Sequence, residues 1–296
     1  MNEYPNIIFI TGDLGFGVLD DFRKSFPNNF INAGVAEQNM TGIATGMALE
    51  GKIVFTYSIA NFSTLRCLEQ IRNDACYHGA NVNIVSVGAG FSYGALGVSH
   101  HATEDLSIMR SIPEMTVVSP STSWEVKKAT RAIIEFNKTC YFRLDKSIGR
   151  DKIDSNKGDF VLGKSRILID GSDCTIFVTG GILQEVWEAH KELKILGYSI
   201  RIVSVHTLKP FDINSVLSAA KDTGGIVTVE ENTLSGGLGS LIAEALLDND
   251  IIPKNFLRIG LGNDFATIVG SQDYLRKCYG LDSSSIVSKV VQLLKS

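Results

Sequence analysis

The sequence predicts an α/β protein of two parallel-sheet domains, on three observations. Short β-branched runs alternate with helix-periodic segments along the whole chain, the pattern of strand–helix–strand units. The 296 residues, 44% hydrophobic and 20% charged, suffice for two ordinary domains with buried cores. One polar, charged stretch, Leu144 to Gly163, interrupts the alternation near the middle and reads as a linker. The expected division is a first domain over residues 1–147, a linker over 148–164 and a second domain over 165–296.

In the first domain, strands are expected over 7–10, 30–32, 53–57, 82–87, 115–119 and 139–143, each a short apolar or β-branched run. Helices are expected over 35–50, 62–78, 104–111 and 122–136, with a short helix or loop from Asp20 to Pro27. The strand Phe30 to Asn32 runs into a tight turn at Ala33-Gly34, and the helix after it is rich in Ala, Gly and Met. In the second half, strands in CTIFVTG, SIRIVSV, GGIVTVEEN and FLRIGLG alternate with helices over 183–196, 212–222 and 238–248. Two further helices close the chain. Asp212, shortly after Pro210, is the expected N-cap of the helix at 212–222.

Composition narrows the function. A net charge of −4 and a pI near 5.8 give no electrostatic footprint for nucleic acid or an anionic membrane. The N-terminal MNEYPNIIFITGD lacks the basic and apolar regions of a signal peptide, and no run of about 18 apolar residues predicts a membrane helix. Five scattered cysteines without a C-x-x-C pair read as reduced, packed thiols of a cytoplasmic protein. The five histidines do not pair with cysteines at metal-ligand spacing, so no protein-built zinc site is expected.

Four loops follow predicted strands of the first domain, at the end where open α/β sheets bind ligands. They are 11–17 (TGDLGFG), 33–37 (AGVAE), 57–62 (YSIANF) and the glycine-rich 88–101. Each alone is equally explained by turn geometry, and Gly15-Phe16-Gly17 lacks the third glycine of a dinucleotide fingerprint. Glu37 alone could simply complement a helix dipole. Together the loops gather an acid at a helix start (Glu37), an aromatic (Phe62), a histidine pair (His100, His101) and an Asp (Asp13), with no nucleophile elbow and no metal cage.

The stretches GVAEQNMTGIATGMALEG, NFSTLRCLEQIRND, GVSHHATEDLSIMRSIPEMTVVSPST and VTVEENTLSGGLGS, in that order, resemble the C-terminal half of transketolase and of the related 1-deoxyxylulose 5-phosphate synthase. The resemblance spans nearly the whole chain as a pyrimidine-binding domain followed by a transketolase C-terminal domain, and the length is that of the second subunit of a split transketolase. It implies thiamine diphosphate as cofactor and transfer of a two-carbon ketol unit between sugars. Glu37 would hydrogen-bond N1′ of the aminopyrimidine, stabilising the imino tautomer that takes the thiazolium C2 proton. That task needs a carboxyl that keeps or shares a proton, which exclusion of water favours. Phe62 would stack on the aminopyrimidine, with Ile59 as an aliphatic wall where the family often has a second Phe. His100, in Gly97-Val98-Ser99-His100, would meet the donor carbonyl or move protons; His101 is its less favoured neighbour. Asp13 would lie near the cofactor, although a turn-forming role explains it as well. Arg143 would hold a substrate phosphate, although a surface or subunit contact explains it equally. For Arg66 and Glu69 a helix-surface pairing is an equal alternative to a functional role.

Two departures bear on the substrate and on assembly. Ala95 and Leu96 stand where the family loop carries acids that read donor hydroxyls, which should loosen discrimination for a standard sugar phosphate. The family's Gly-Asp-Gly motif with its following Asn, which binds Mg²⁺ and the diphosphate, is missing; Asp170-Gly171 lies in the wrong context. A separate N-terminal subunit is therefore expected to hold the metal and diphosphate, in an α2β2 assembly with the active site between chains. Other thiamine enzymes, of the decarboxylating synthase or 2-oxo acid dehydrogenase type, and a non-catalytic scaffold subunit are the competing readings.

Overall fold

Apolar runs along the chain build two sheets. The computed structural model describes residues 3–146 and 158–295. The strands are β1 (Ile7–Thr11), β2 (Phe30–Asn32), β3 (Ile53–Ile59), β4 (Val82–Val87), β5 (Thr116–Val118), β6 (Cys140–Leu144), β7 (Arg166–Ile169), β8 (Cys174–Val178), β9 (Ile200–Ser204), β10 (Thr207–Lys209), β11 (Ile226–Thr233) and β12 (Phe256–Leu261). The helices are α1 (Asp20–Ser25), α2 (Glu37–Leu49), α3 (Ala60–Ser63), α4 (Asp105–Ser111), α5 (Ser123–Phe136), α6 (Leu183–Ile195), α7 (Ile213–Asp222), α8 (Leu238–Leu247), α9 (Gln272–Cys278) and α10 (Ser283–Lys295).

The first sheet has the order β10-β5-β6-β4-β3-β1-β2 and the second β12-β11-β8-β9-β7. Neighbours are parallel except at one edge of each sheet, where β10 pairs antiparallel with β5 and β7 with β9. The parallel strands are buried on both faces, which accounts for their continuous apolar runs. Ile10, Met40, Val54, Ile84 and Met109 pack one core of the first sheet; Ile176, Val178, Leu193, Ile202 and Val229 pack a core of the second.

The two sheets are not independent. β10, from the second half of the sequence, completes the first sheet. Its three residues, Thr-Leu-Lys, are too few to stand out from a loop in the sequence. The expected linker falls largely on residues outside the described ones. Of its last part, Phe160 and Leu162 pack on the core that holds Phe55, Ile133 and Phe142.

Two further expectations change. The single helix at 62–78 is broken into α3, a 3-10 turn at Leu65–Cys67 and a π turn at Gln70–Cys76. The hydroxyls of Ser63 and Thr64 donate back to the carbonyls of Ile59 and Ala60, which competes with a regular helical ladder. Asp212 does sit at the N-cap of α7, but its carboxylate accepts from Ser165 N–H, 2.9 Å away, instead of capping the helix.

The start of α8 carries a titratable support. The buried Glu230 carboxylate accepts the N–H groups of Leu238 (2.7 Å) and Gly239 (2.8 Å). Burial pushes its pKa up to about 7, against the pull of those N–H groups. Between the ordinary carboxylate range and about 7 the folded chain thus holds a proton that the unfolded chain has released. This contribution to stability is complete at low pH and is lost as pH rises through about 7. Urea unfolding should therefore show a smaller loss of stability from about pH 5 to about pH 7.5 in Glu230→Gln than in the parent chain. An identical slope would reject the assignment.

Candidate active site

β1 lies between β2 and β3, so the chain steps outward from it in one direction to β2 and in the other to β3 and β4. The crevice at the carboxyl ends of β1 and β3 is thus the switch point of the sheet, where open α/β folds take ligands. The loops after β1, β2, β3 and β4 all leave from this end.

Glu37 is the first residue of α2 and is 2% exposed. Its Oε2 accepts from Arg66 Nη1 at 2.7 Å. The Arg66 guanidinium in turn lies over the Phe62 ring, 4.7 Å from its centre. Phe62 meets His100 edge-on at 5.1 Å, and His100 also faces Tyr93 at 6.3 Å. The structure therefore links Glu37, Phe62 and His100 through one connected set of contacts. Ile59 is buried at the end of β3, three residues before Phe62.

The loops around these residues are tied down by backbone-directed hydrogen bonds. Asn61 donates to the carbonyls of Ser99 (3.2 Å) and His101 (2.7 Å), fastening the histidine loop to the start of α3. His100 Nδ1 lies 3.0 Å from Ser99 Oγ. His101 turns inward: it is buried, its Nε2 meets the Gly94 carbonyl at 3.1 Å, and its ring packs edge-on against Phe91. His100 is the half-buried member of the pair and the one beside Phe62. Asp13 takes a left-handed conformation, φ 58°, and exchanges hydrogen bonds with Asn32, whose Oδ1 also accepts from Gly34. It thereby joins the loops after β1 and β2.

Two placements correct the sequence reading. Arg143 is 2% exposed, and its guanidinium binds the Asp105 carboxylate at 2.7 and 3.2 Å and the carbonyls of Ala102 and Glu231. Burial opposes its charge, and Asp105 overrides that effect and holds its pKa above the ordinary arginine range. It is buried, so the surface position expected for it is not what the structure shows. Arg66 does not pair along its own helix with Glu69 but reaches across to Glu37.

Sequence reasoning also missed the base of the histidine loop. Glu231 Oε1 accepts the Phe91 N–H at 2.6 Å, and its other oxygen binds Arg276 of α9 at 2.6–2.7 Å. A Cβ on Gly90, which has φ +56°, would meet that carboxylate at 2.6 Å, so the glycine is required there. The only sequence signal was the pair of acids in VEEN, in a segment expected merely to frame the fold.

A cavity of about 400 Å³ opens beside the cluster, lined by Phe62, Leu65, Arg66, Val98, Thr103 and Phe265 among others. A second of about 640 Å³ adjoins it across Val98, Ser99, Phe265 and Ala266, and includes Leu96. Among the described residues, no three His, Cys, Asp or Glu side chains gather as a metal site, and no helix is long and apolar enough to cross a membrane.

Comparison with known proteins assigns the chain. Residues 1–152 match the transketolase pyrimidine binding domain and residues 163–286 the transketolase C-terminal domain. The chain belongs to the transketolase family. A protein of Methanocaldococcus jannaschii described as a transketolase C-terminal section is 40% identical over 296 residues, covering 99% of this chain and 92% of that one. The 6-deoxy-6-sulfo-D-fructose transketolase subunit SqwH of a Clostridium species is 39% identical over 266 residues, covering 90% and 81%. A solved split-gene transketolase, described as an inactive β4 tetramer, superposes with a TM-score of 0.88 at 34% identity, covering 99% of this chain and 93% of its own.

Within this transketolase fold Arg143 carries structural weight. Arg143→Ala leaves Asp105 buried without its cation and should cost about 3–5 kcal/mol in denaturant unfolding. A loss below about 1 kcal/mol would show that the pair does not hold the loop.

Proposed function

We propose that this chain is the C-terminal subunit of a split, thiamine diphosphate-dependent transketolase that moves a two-carbon ketol unit between sugar substrates. The observation that carries the reading is the clamp itself: a carboxylate shut away from water, joined through Arg66 to the face of a half-buried aromatic ring that a histidine meets edge-on.

The residues present suit the aminopyrimidine half of the cofactor. When bound, thiamine diphosphate supplies the nucleophilic carbon that takes up the two-carbon unit. Glu37 would hold a proton at N1′, and its burial keeps water from competing for that bond. Phe62, backed by the buried Ile59, would orient the ring by flat apolar contact. His100 is close enough to Phe62 to act on a substrate oxygen above the ring. Asp13, joined to Asn32, would fix the loop next to Glu37.

The diphosphate and Mg²⁺ are assigned to a separate N-terminal subunit, in an α2β2 complex working in the cytoplasm. Exposed apolar side chains support a partner: Val35, two residues before Glu37, is 76% exposed, and Phe265, on the cavity, is 74% exposed. The split relatives of similar length agree with such a division.

The substrate pocket is apolar where the family loop is acidic. Ala95 is exposed and Leu96 lines the adjoining cavity. With Arg143 committed to Asp105, the reading favours a donor lacking the hydroxyl pattern of ordinary ketose phosphates.

In the complex reconstituted with its partner, Glu37→Gln should slow exchange of the thiazolium C2 proton by at least about 100-fold. The fold, followed by circular dichroism, should not change. Exchange at the parent rate would sink the assignment and favour a scaffold subunit.

A further inference from the structure

The Glu37–Arg66 contact has no role in the chemistry proposed above, yet it occupies the centre of the site. Arg66 places a flat cation over the Phe62 ring and one N–H on the Glu37 carboxylate, 2.7 Å away. These are the same two partners, one aromatic face and one carboxylate, that the proposed aminopyrimidine requires. We propose that Arg66 is a resting occupant of the pyrimidine clamp, a self-made ligand that the cofactor must displace. The inference rests on the reading of the site given under the proposed function.

Three features suit Arg66 to this part. Its guanidinium is planar and stacks on aromatic rings, which an ammonium does not do. Its side chain is 47% exposed while that of Glu37 is 2% exposed, so the cation has open space to move into and the carboxylate does not. It also sits on the 3-10 turn Leu65–Cys67, between α3 and the π turn, where helical hydrogen bonding is already irregular.

Electrostatics explains why the clamp is filled. A buried carboxylate without a partner is costly, and breaking such a pair from one side leaves the remaining charge uncompensated. Arg66 compensates Glu37 while the clamp is empty. The arriving ring takes over the bond to Glu37, and the guanidinium swings into the cavity that both Arg66 and Glu104 line. The cofactor thus binds at the expense of an internal contact, and its apparent affinity is reduced accordingly.

This device makes a prediction of opposite signs in two states. Arg66→Ala should lower the melting temperature of the unloaded chain, because Glu37 loses its cation. In the complex with the N-terminal subunit, titrated with thiamine diphosphate and Mg²⁺ by calorimetry, the same variant should bind the cofactor about three- to tenfold more tightly. Arg66→Lys, which keeps the charge but not the flat contact, should fall between the two. Should the alanine variant fail to fold, Arg66→Gln is titrated in its place, with the same expected tightening. Weaker or unchanged binding by the variant beside normal binding by the parent overturns the inference and leaves the enzyme assignment standing. No binding by the parent complex overturns both.

Discussion

A carboxylate closed off from water must be bonded by something, and this requirement organises the first domain. Glu37 is delivered to the crevice by a three-residue strand, a glycine turn and the start of α2. Its backbone environment is small, so the loops after β1 and β2 close around it. Its side chain is therefore left with few possible partners, and it takes Arg66. Under the proposed function, this exclusion of solvent would prepare the carboxyl to bond one ring nitrogen.

The second domain supports this arrangement from behind. Arg143 ties β6 of the first sheet to Asp105 and to the carbonyl of Glu231. The Glu231 carboxylate, held by Arg276 and Gln272, reaches the first residues of the loop that ends in His100. Burial pushes the Glu231 pKa up, and Arg276 opposes the shift. These charges lie between the sheets, where each has a partner, so the histidine loop is fixed on a rigid frame instead of hanging from β4. A loop bound at its base by Glu231 and along its length by Asn61 holds His100 at a fixed distance from Phe62.

Much of this was legible in the sequence, for identifiable reasons. Strands buried on both faces print as continuous apolar runs, so β1, β3, β4, β8 and β11 stand out. The site loops could be found because parallel sheets put them at one end. Glu37 and Phe62 were recognisable through their motifs, and His100 through its glycine-rich loop. The structure then brought the three into one set of contacts. What stayed hidden depends on contacts between residues far apart in the chain. β10 is three residues long and gains its identity only by pairing with β5. Arg66 looked like a helix-surface charge because its partner lies 29 residues earlier. Arg143 carries the residue type of a phosphate ligand, and only its burial against Asp105 reveals the other use. The break in the helix at 62–78 depends on hydroxyls that sequence periodicity does not weigh.

The most direct measurement is the crystal structure of the chain assembled with its N-terminal subunit, thiamine diphosphate and Mg²⁺. The aminopyrimidine should stack on Phe62 with N1′ within hydrogen-bonding distance of the Glu37 carboxyl, and Arg66 should be turned away. A cofactor ring seated elsewhere, or Glu37 facing open solvent with Arg66 still bound to it, would contradict the central claim.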